Sequence, residues 1–134
     1  MPAPNPEYAT RPRVLFMDDE EAIRDVMSLV LRRRGFDVTV VADGLEAVAA
    51  YGDAMARGVP YGAVVLDLAV PGGAGALEAI EPLRRLDTNV RGIVSSGHAR
   101  DPAMTDPAAH GFAGAVPKPY EIAGLVAAIE RVLR

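Results

Sequence analysis

Four short stretches end in residues whose types could do chemistry together. Asp18 and Asp19 follow the apolar run VLFM, Asp67 ends AVVLD, Ser95 and Ser96 end IVSS, and Lys118 follows GAVP. An ionised carboxylate is costly in a medium of low dielectric. Asp67, set into the apolar run YGAVVLDLAV, must therefore be paired, metal-bound or placed at a solvent-facing strand end. If the stretches meet, three carboxylates share a small volume and cannot all stay ionised without a cation. Oxygen-only ligands with room for water suit Mg²⁺, which takes one or two carboxylates and completes its octahedron with water and phosphate. The Lys118 ammonium and the Ser96 hydroxyl suit phosphoryl oxygens. Phosphoryl transfer needs mainly positioning and charge neutralisation, and a carboxylate can itself be the nucleophile that forms an aspartyl-phosphate.

A parallel sheet would bring these stretches together. RVLFM (13–17), DVTVV (37–41), AVVLD (63–67), RGIVSS (91–96) and FAGAV (112–116) read as strands, and the β-branched third suits a sheet buried on both faces. Between them lie segments of helical period. EEAIRDVMSLVLRRRG carries Ile23, Val26, Met27 and Val30 on one face and stops at Gly35. GLEAVAAYGDAMARG (44–58) and ALEAIEPLRRL (76–86) follow, the latter with Pro82 as a local irregularity. EIAGLVAAIERVL (121–133) places Ile122, Leu125, Val126, Ile129 and Val132 together. Residues 99–110 are helical by position, against the resistance of Pro102 and Pro107. Five β–α repeats predict a doubly wound, flavodoxin-like (βα)5 sandwich of strand order 2-1-3-4-5. Ligands of such sheets bind outside the carboxyl ends of the strands, where the polar residues above fall.

The chain has 134 residues, 50% hydrophobic and 24% charged, which fits one domain with a continuous core. Residues 1–12 read as a proline-rich tail or linker and 13–134 as the domain. The absence of cysteine excludes disulfides and thiolate zinc sites and leans towards a reducing compartment. No apolar run approaches the roughly 18 residues of a membrane span, so no membrane contact is expected. A net charge of −4 argues against nucleic acid as partner, and Arg32-Arg33-Arg34 reads as a solvated helix end favoured by the helix dipole.

The ordered motifs resemble the receiver domain of two-component response regulators. VLFMDDEEAIRDVM resembles its acidic opening, VVLDLAVPGGAG its phosphoacceptor strand and loop, IVSSG its hydroxyl-bearing strand and VPKPYEIAGL its Lys-Pro turn, from about Arg13 to Leu133. The resemblance implies a cytoplasmic signalling domain in which Asp67 accepts a phosphoryl group from a phosphohistidine, on a sensor histidine kinase or a histidine phosphotransfer domain. It implies Mg²⁺ held by Asp19, Asp67 and the backbone carbonyl of Ala69, with Asp18 acting largely through water. Ser96 and Lys118 would contact the phosphoryl group, the Lys118–Pro119 bond would be cis, and self-dephosphorylation would be slow. DLAVPGGAG and IVSSGHARDPAM look most like receivers at the C-terminus of hybrid sensor histidine kinases; a stand-alone regulator or a phosphate sink is the alternative.

Departures from the family pattern matter. Ala115 stands three before Lys118, where many receivers carry an aromatic switch residue, and Ala69 offers no side-chain hydrogen bond to a phosphoryl group or attacking water. His98 reads as a solvated loop residue. A haloacid-dehalogenase-like phosphatase would want a second carboxylate at Ala69. Nucleotide binding at PGGAGALEA lacks a Walker Lys-Ser/Thr pair and a full G-x-G-x-x-G, and a hydrolase on Ser96 and His98 lacks the G-x-S-x-G elbow.

Overall fold

The computed structural model describes residues 11–134, so most of the proline-rich segment lies outside the described residues. Five parallel strands, β1 (Arg13–Met17), β2 (Asp37–Val41), β3 (Ala63–Asp67), β4 (Gly92–Ser96) and β5 (Gly114–Pro117), are arranged β2-β1-β3-β4-β5, as expected. Three full-length helices, α1 (Glu21–Arg33), α2 (Gly44–Ala56) and α3 (Ala76–Leu86), alternate with them. A four-residue helix α4 (Pro102–Thr105) and a final helix α5 (Ile122–Leu133) complete the set. Among the described residues, no helix is long and apolar enough to cross a membrane.

Strand side chains alternate between faces, and this divides the core in two. Val14, Phe16, Val65 and Ile93 meet α1 and α5 through Met27, Leu31, Leu125 and Ile129. Leu15, Met17, Val64, Leu66 and Val94 meet α2 and α3 through Ala47, Tyr51, Ala54, Ala79, Ile80 and Leu83. All five residues of β3 and of β4 are buried, which their position between neighbours on each side requires. The α1 face differs from the expected one in detail. Met27 and Leu31 are buried, whereas Val26 is 52% exposed.

Local chemistry sets the helix ends. The Asp43 carboxylate accepts from the Glu46 amide at 2.9 Å and the Glu46 carboxylate from the Ala42 amide at 3.0 Å, closing the start of α2 reciprocally. Gly35 and Gly58, with φ of 94° and 74°, let the chain leave α1 and α2 through the left-handed region. The α3 helix runs unbroken through Pro82.

Two expectations need correction. The segment 99–110 is not one helix but α4 followed by a 3-10 turn, Pro107–His110. Pro107 has no amide to donate and excludes helical geometry from Asp106, whose φ and ψ are −139° and 72°. The last strand starts two residues later than FAGAV suggests. The Phe112 amide turns back to the Pro107 carbonyl at 2.9 Å, and its ring enters the core under α3.

Gly75 precedes α3 where the chain passes tightly over β3. A Cβ there would collide with the Leu68 carbonyl and stand 3.2 Å from that of Asp67. Gly75→Ala is expected to lower stability by about 2 kcal/mol through this overpacking. Gly124→Ala, on the exposed side of α5 with its nearest neighbour at 3.9 Å, should raise it by about 0.5–1 kcal/mol. Urea denaturation of the two variants checks the opposite signs.

Candidate functional site

The carboxyl ends of β1 and β3 and the turn after β5 converge on one rim. Asp18 follows β1, fully buried, with its amide donating to Val41 at 3.1 Å as a continuation of the β1–β2 ladder. Its Oδ1 accepts from the Glu20 amide at 2.9 Å, and its carbonyl accepts from Arg24 Nη1 at 2.9 Å. Asp19 is exposed beside it. Asp67 ends β3 at 3% exposure, its Oδ1 accepting from the Ala69 amide at 3.2 Å. One carboxylate oxygen from each of Asp18, Asp19 and Asp67 lies within 4.8 Å of the other two.

Lys118 reaches this group from the opposite side. Its Nζ donates to Asp18 Oδ2 at 2.6 Å and to Asp67 Oδ2 at 3.0 Å. The Lys118 amide donates to the Ser96 carbonyl at 2.9 Å, and the Lys118–Pro119 peptide is cis. Ser96, 2% exposed, ends β4, and its Oγ accepts from the His98 amide at 2.9 Å. The His98 side chain is exposed, and Ala115 packs towards the α2–α3 side of the sheet.

Three carboxylates therefore face one ammonium. Burial pushes the Asp67 carboxyl above the ordinary carboxylate range, and the Asp18 charge adds to this, while Lys118 and the Ala69 amide oppose it. Burial alone would lower the Lys118 ammonium, but its hydrogen bonds to Asp18 and Asp67 outweigh that and hold it above the usual lysine range. The deficit of positive charge and the all-oxygen donor set fit a hard divalent cation of the Mg²⁺ kind, not a soft-ligand metal.

The loop glycines, by contrast, serve the fold. The Gly75 amide donates to Glu78 Oε2 at 3.1 Å and the Gly73 amide to the Val70 carbonyl at 3.1 Å, so these donors belong to a turn and a helix start instead of a phosphate cradle. Ser96 meets the His98 backbone and not its ring, which leaves no serine–histidine pair. Sequence reasoning passed over Arg24 and Tyr120. The Tyr120 hydroxyl donates to Ser95 Oγ at 2.7 Å beneath the acidic group, and its place two residues after Lys118 was the available signal.

The family model described as the response regulator receiver domain matches residues 14–130. The chain is 35% identical over 121 residues to the transcriptional regulatory protein YkoG of Bacillus subtilis, covering 90% of this chain and 50% of that protein. The chain thus spans about half the length of the curated relatives it matches. Among solved structures, a two-component response regulator of the LuxR family from Aurantimonas superposes with a TM-score of 0.79 at 29% identity, over 92% of this chain and 86% of that one. The receiver domain of the Pseudomonas aeruginosa sensor histidine kinase PA1611, described with a magnesium ion in its active-site cleft, gives 0.78 at 23% identity, over 92% and 98%.

The raised Asp67 value has a sign that can be checked. A carboxyl whose pKa is higher folded than unfolded costs stability above that pKa, and the cost shrinks as pH falls below it and is gone below the unfolded value. In metal-free buffer at pH 7, Asp67→Asn should therefore raise Tm, on the order of 4 °C for each kcal/mol relieved. Thermal scans from pH 7 down to pH 4 should show the gain shrinking, and a saturating divalent cation should shrink it at pH 7.

Proposed function

The chain belongs to the response regulator receiver domain family, and from that membership we propose that Asp67 is the phosphoacceptor of a two-component phosphorelay. The observation that supports it most directly is Lys118 Nζ bridging Asp18 and Asp67 within a cluster of three carboxylates. The donor is a phosphohistidine on a sensor histidine kinase or a phosphotransfer domain. Such a donor is made at the expense of ATP, which puts the exchange in the cytoplasm.

Asp18, Asp19 and Asp67 would hold Mg²⁺, with the Ala69 carbonyl as a further oxygen ligand. The ion supplies charge neutralisation to the transferring phosphoryl group. An Asp67 carboxylate oxygen attacks phosphorus as the P–N bond to the donor imidazole breaks, and the imidazole leaves with that electron pair. β3 fixes the nucleophile, because its backbone is paired on both sides. Lys118 already donates to Asp67 Oδ2 and follows the charge onto the phosphoryl oxygens. Ser96 Oγ accepts from the His98 amide, which leaves its own proton for a phosphoryl oxygen. Ala69 presents no polar side chain to an attacking water, in keeping with slow hydrolysis of the product.

The added phosphoryl charge, about −1.5 to −2, draws Lys118 and Ser96 inwards and biases the domain between two states. The curated relatives are regulatory proteins about twice the length of this chain, which favours a regulator as parent over the hybrid kinase expected from the sequence.

Incubation with acetyl phosphate and Mg²⁺ should attach one hydroxylamine-labile phosphoryl group per chain. Asp67→Asn should abolish it, and Asp19→Asn should raise the Mg²⁺ concentration needed for half-maximal labelling at least about tenfold. Labelling of the Asp67→Asn protein at the wild-type level overturns the assignment. Multiple turnover of a simple phosphate ester would point to a phosphatase instead.

A further inference from the structure

Two successive residues of β4 hold the two ends of the Lys118–Pro119–Tyr120 turn. The Ser96 carbonyl accepts from the Lys118 amide at 2.9 Å, and Ser95 Oγ accepts from the Tyr120 hydroxyl at 2.7 Å. Ser95 is fully buried and pairs in register with Asp67, so both side chains lie on the α1–α5 face of the sheet. The Ser95 proton points towards the Leu66 carbonyl, at a long 3.5 Å, which leaves the oxygen to receive Tyr120.

The ring needs that anchor. One side of Tyr120 meets Phe16 edge-on at 5.7 Å, and Lys118 Nζ stands 5.7 Å from its centroid. The other side lines a groove of about 610 Å³ with Ile23, Val26 and Met27, room into which the ring could turn among the described residues. A hydroxyl tied to a buried strand end removes that freedom. The chemistry described so far uses neither Ser95 nor Tyr120.

We infer that Tyr120 is a positioning residue for Lys118: its hydrogen bond to Ser95 fixes the ring beside the lysine, and so keeps the ammonium between Asp18 and Asp67. The Ser95–Tyr120 pair is one clamp and the Ser96–Lys118 backbone bond the other. Part of the test rests on the phosphoacceptor reading above, and part does not.

Tyr120→Phe keeps the ring and removes the hydroxyl, and Ser95→Ala removes the acceptor. Each is expected to slow acetyl phosphate labelling of Asp67 about tenfold at saturating Mg²⁺, without changing the Mg²⁺ concentration for half-saturation. The double variant should be no slower than either single one, because both break one bond. The ¹⁵N–¹H ammonium resonance of Lys118 should shift or broaden in Tyr120→Phe. Tyr51→Phe is the stability control. It deletes the 2.6 Å hydrogen bond that Tyr51 of α2 donates to Asp87 at the end of α3, outside the acidic group, and should lower Tm while leaving labelling and the Lys118 resonance unchanged. The proposal is overturned if Tyr120→Phe behaves like Tyr51→Phe, or if the two single effects multiply in the double variant. Should the wild-type chain not be labelled at all, the phosphoacceptor reading fails, and the Lys118 resonance still decides the role of Tyr120.

Discussion

Lys118 answers two buried carboxylates with one ammonium, while Asp19 adds a third negative charge beside them. That arrangement is electrostatically incomplete, and the rest of the structure keeps it so. Asp18 and Asp67 cannot separate, because each is continuous with a strand whose side chains are buried. Lys118 cannot withdraw easily, because its backbone hangs from β4. A rim held in this condition gains from any group that brings positive charge or redistributes negative charge, and a cation together with a phosphoryl group does both. Stability is given up locally for reactivity, as is common where function requires like charges to be confined.

Most of the architecture is visible in the residue pattern because it rests on local rules. The β-branched centre of AVVLD, the left-handed glycines after α1 and α2, and the apolar face of α5 each state their role within a few residues. The segment from 99 to 110 was harder, since periodicity and proline chemistry conflict there, and Pro107 won by denying Asp106 a helical conformation. The shift of β5 followed from the same turn. Val26 misled for another reason: helical spacing identifies a stripe but not which edge of the stripe the sheet covers.

At the site, the acidic pair, Asp67 and Lys118 are legible because strand ends of a parallel sheet are the expected place for such groups. The link between Ser95 and Tyr120 is not. It depends on the register of β4 against β3 and on the path of the turn after β5, and neither is written in the spacing of residues 95 and 120. Two adjacent serines look equivalent in sequence. Alternation and register give them different duties: Ser95, level with Asp67, receives the Tyr120 hydroxyl, whereas Ser96, one residue further on, holds the Lys118 amide on its carbonyl and the His98 amide on its Oγ.

That alternation has a consequence for how the domain can diverge. The sheet is a wall between two hydrophobic layers, and the acidic group, Lys118 and Tyr120 all stand on the α1–α5 side of it. The layer under α2, α3 and the shortened α4 is built of other residues altogether, among them Ala47, Ala79, Leu83 and Phe112. Substitutions there can reshape an outer surface without passing through the chemistry. Ser96, the last residue of β4, stays with the rim, its carbonyl holding the Lys118 amide and its Oγ holding the His98 amide. A lineage could therefore remake that outer surface while the acidic group and its lysine stayed as they are.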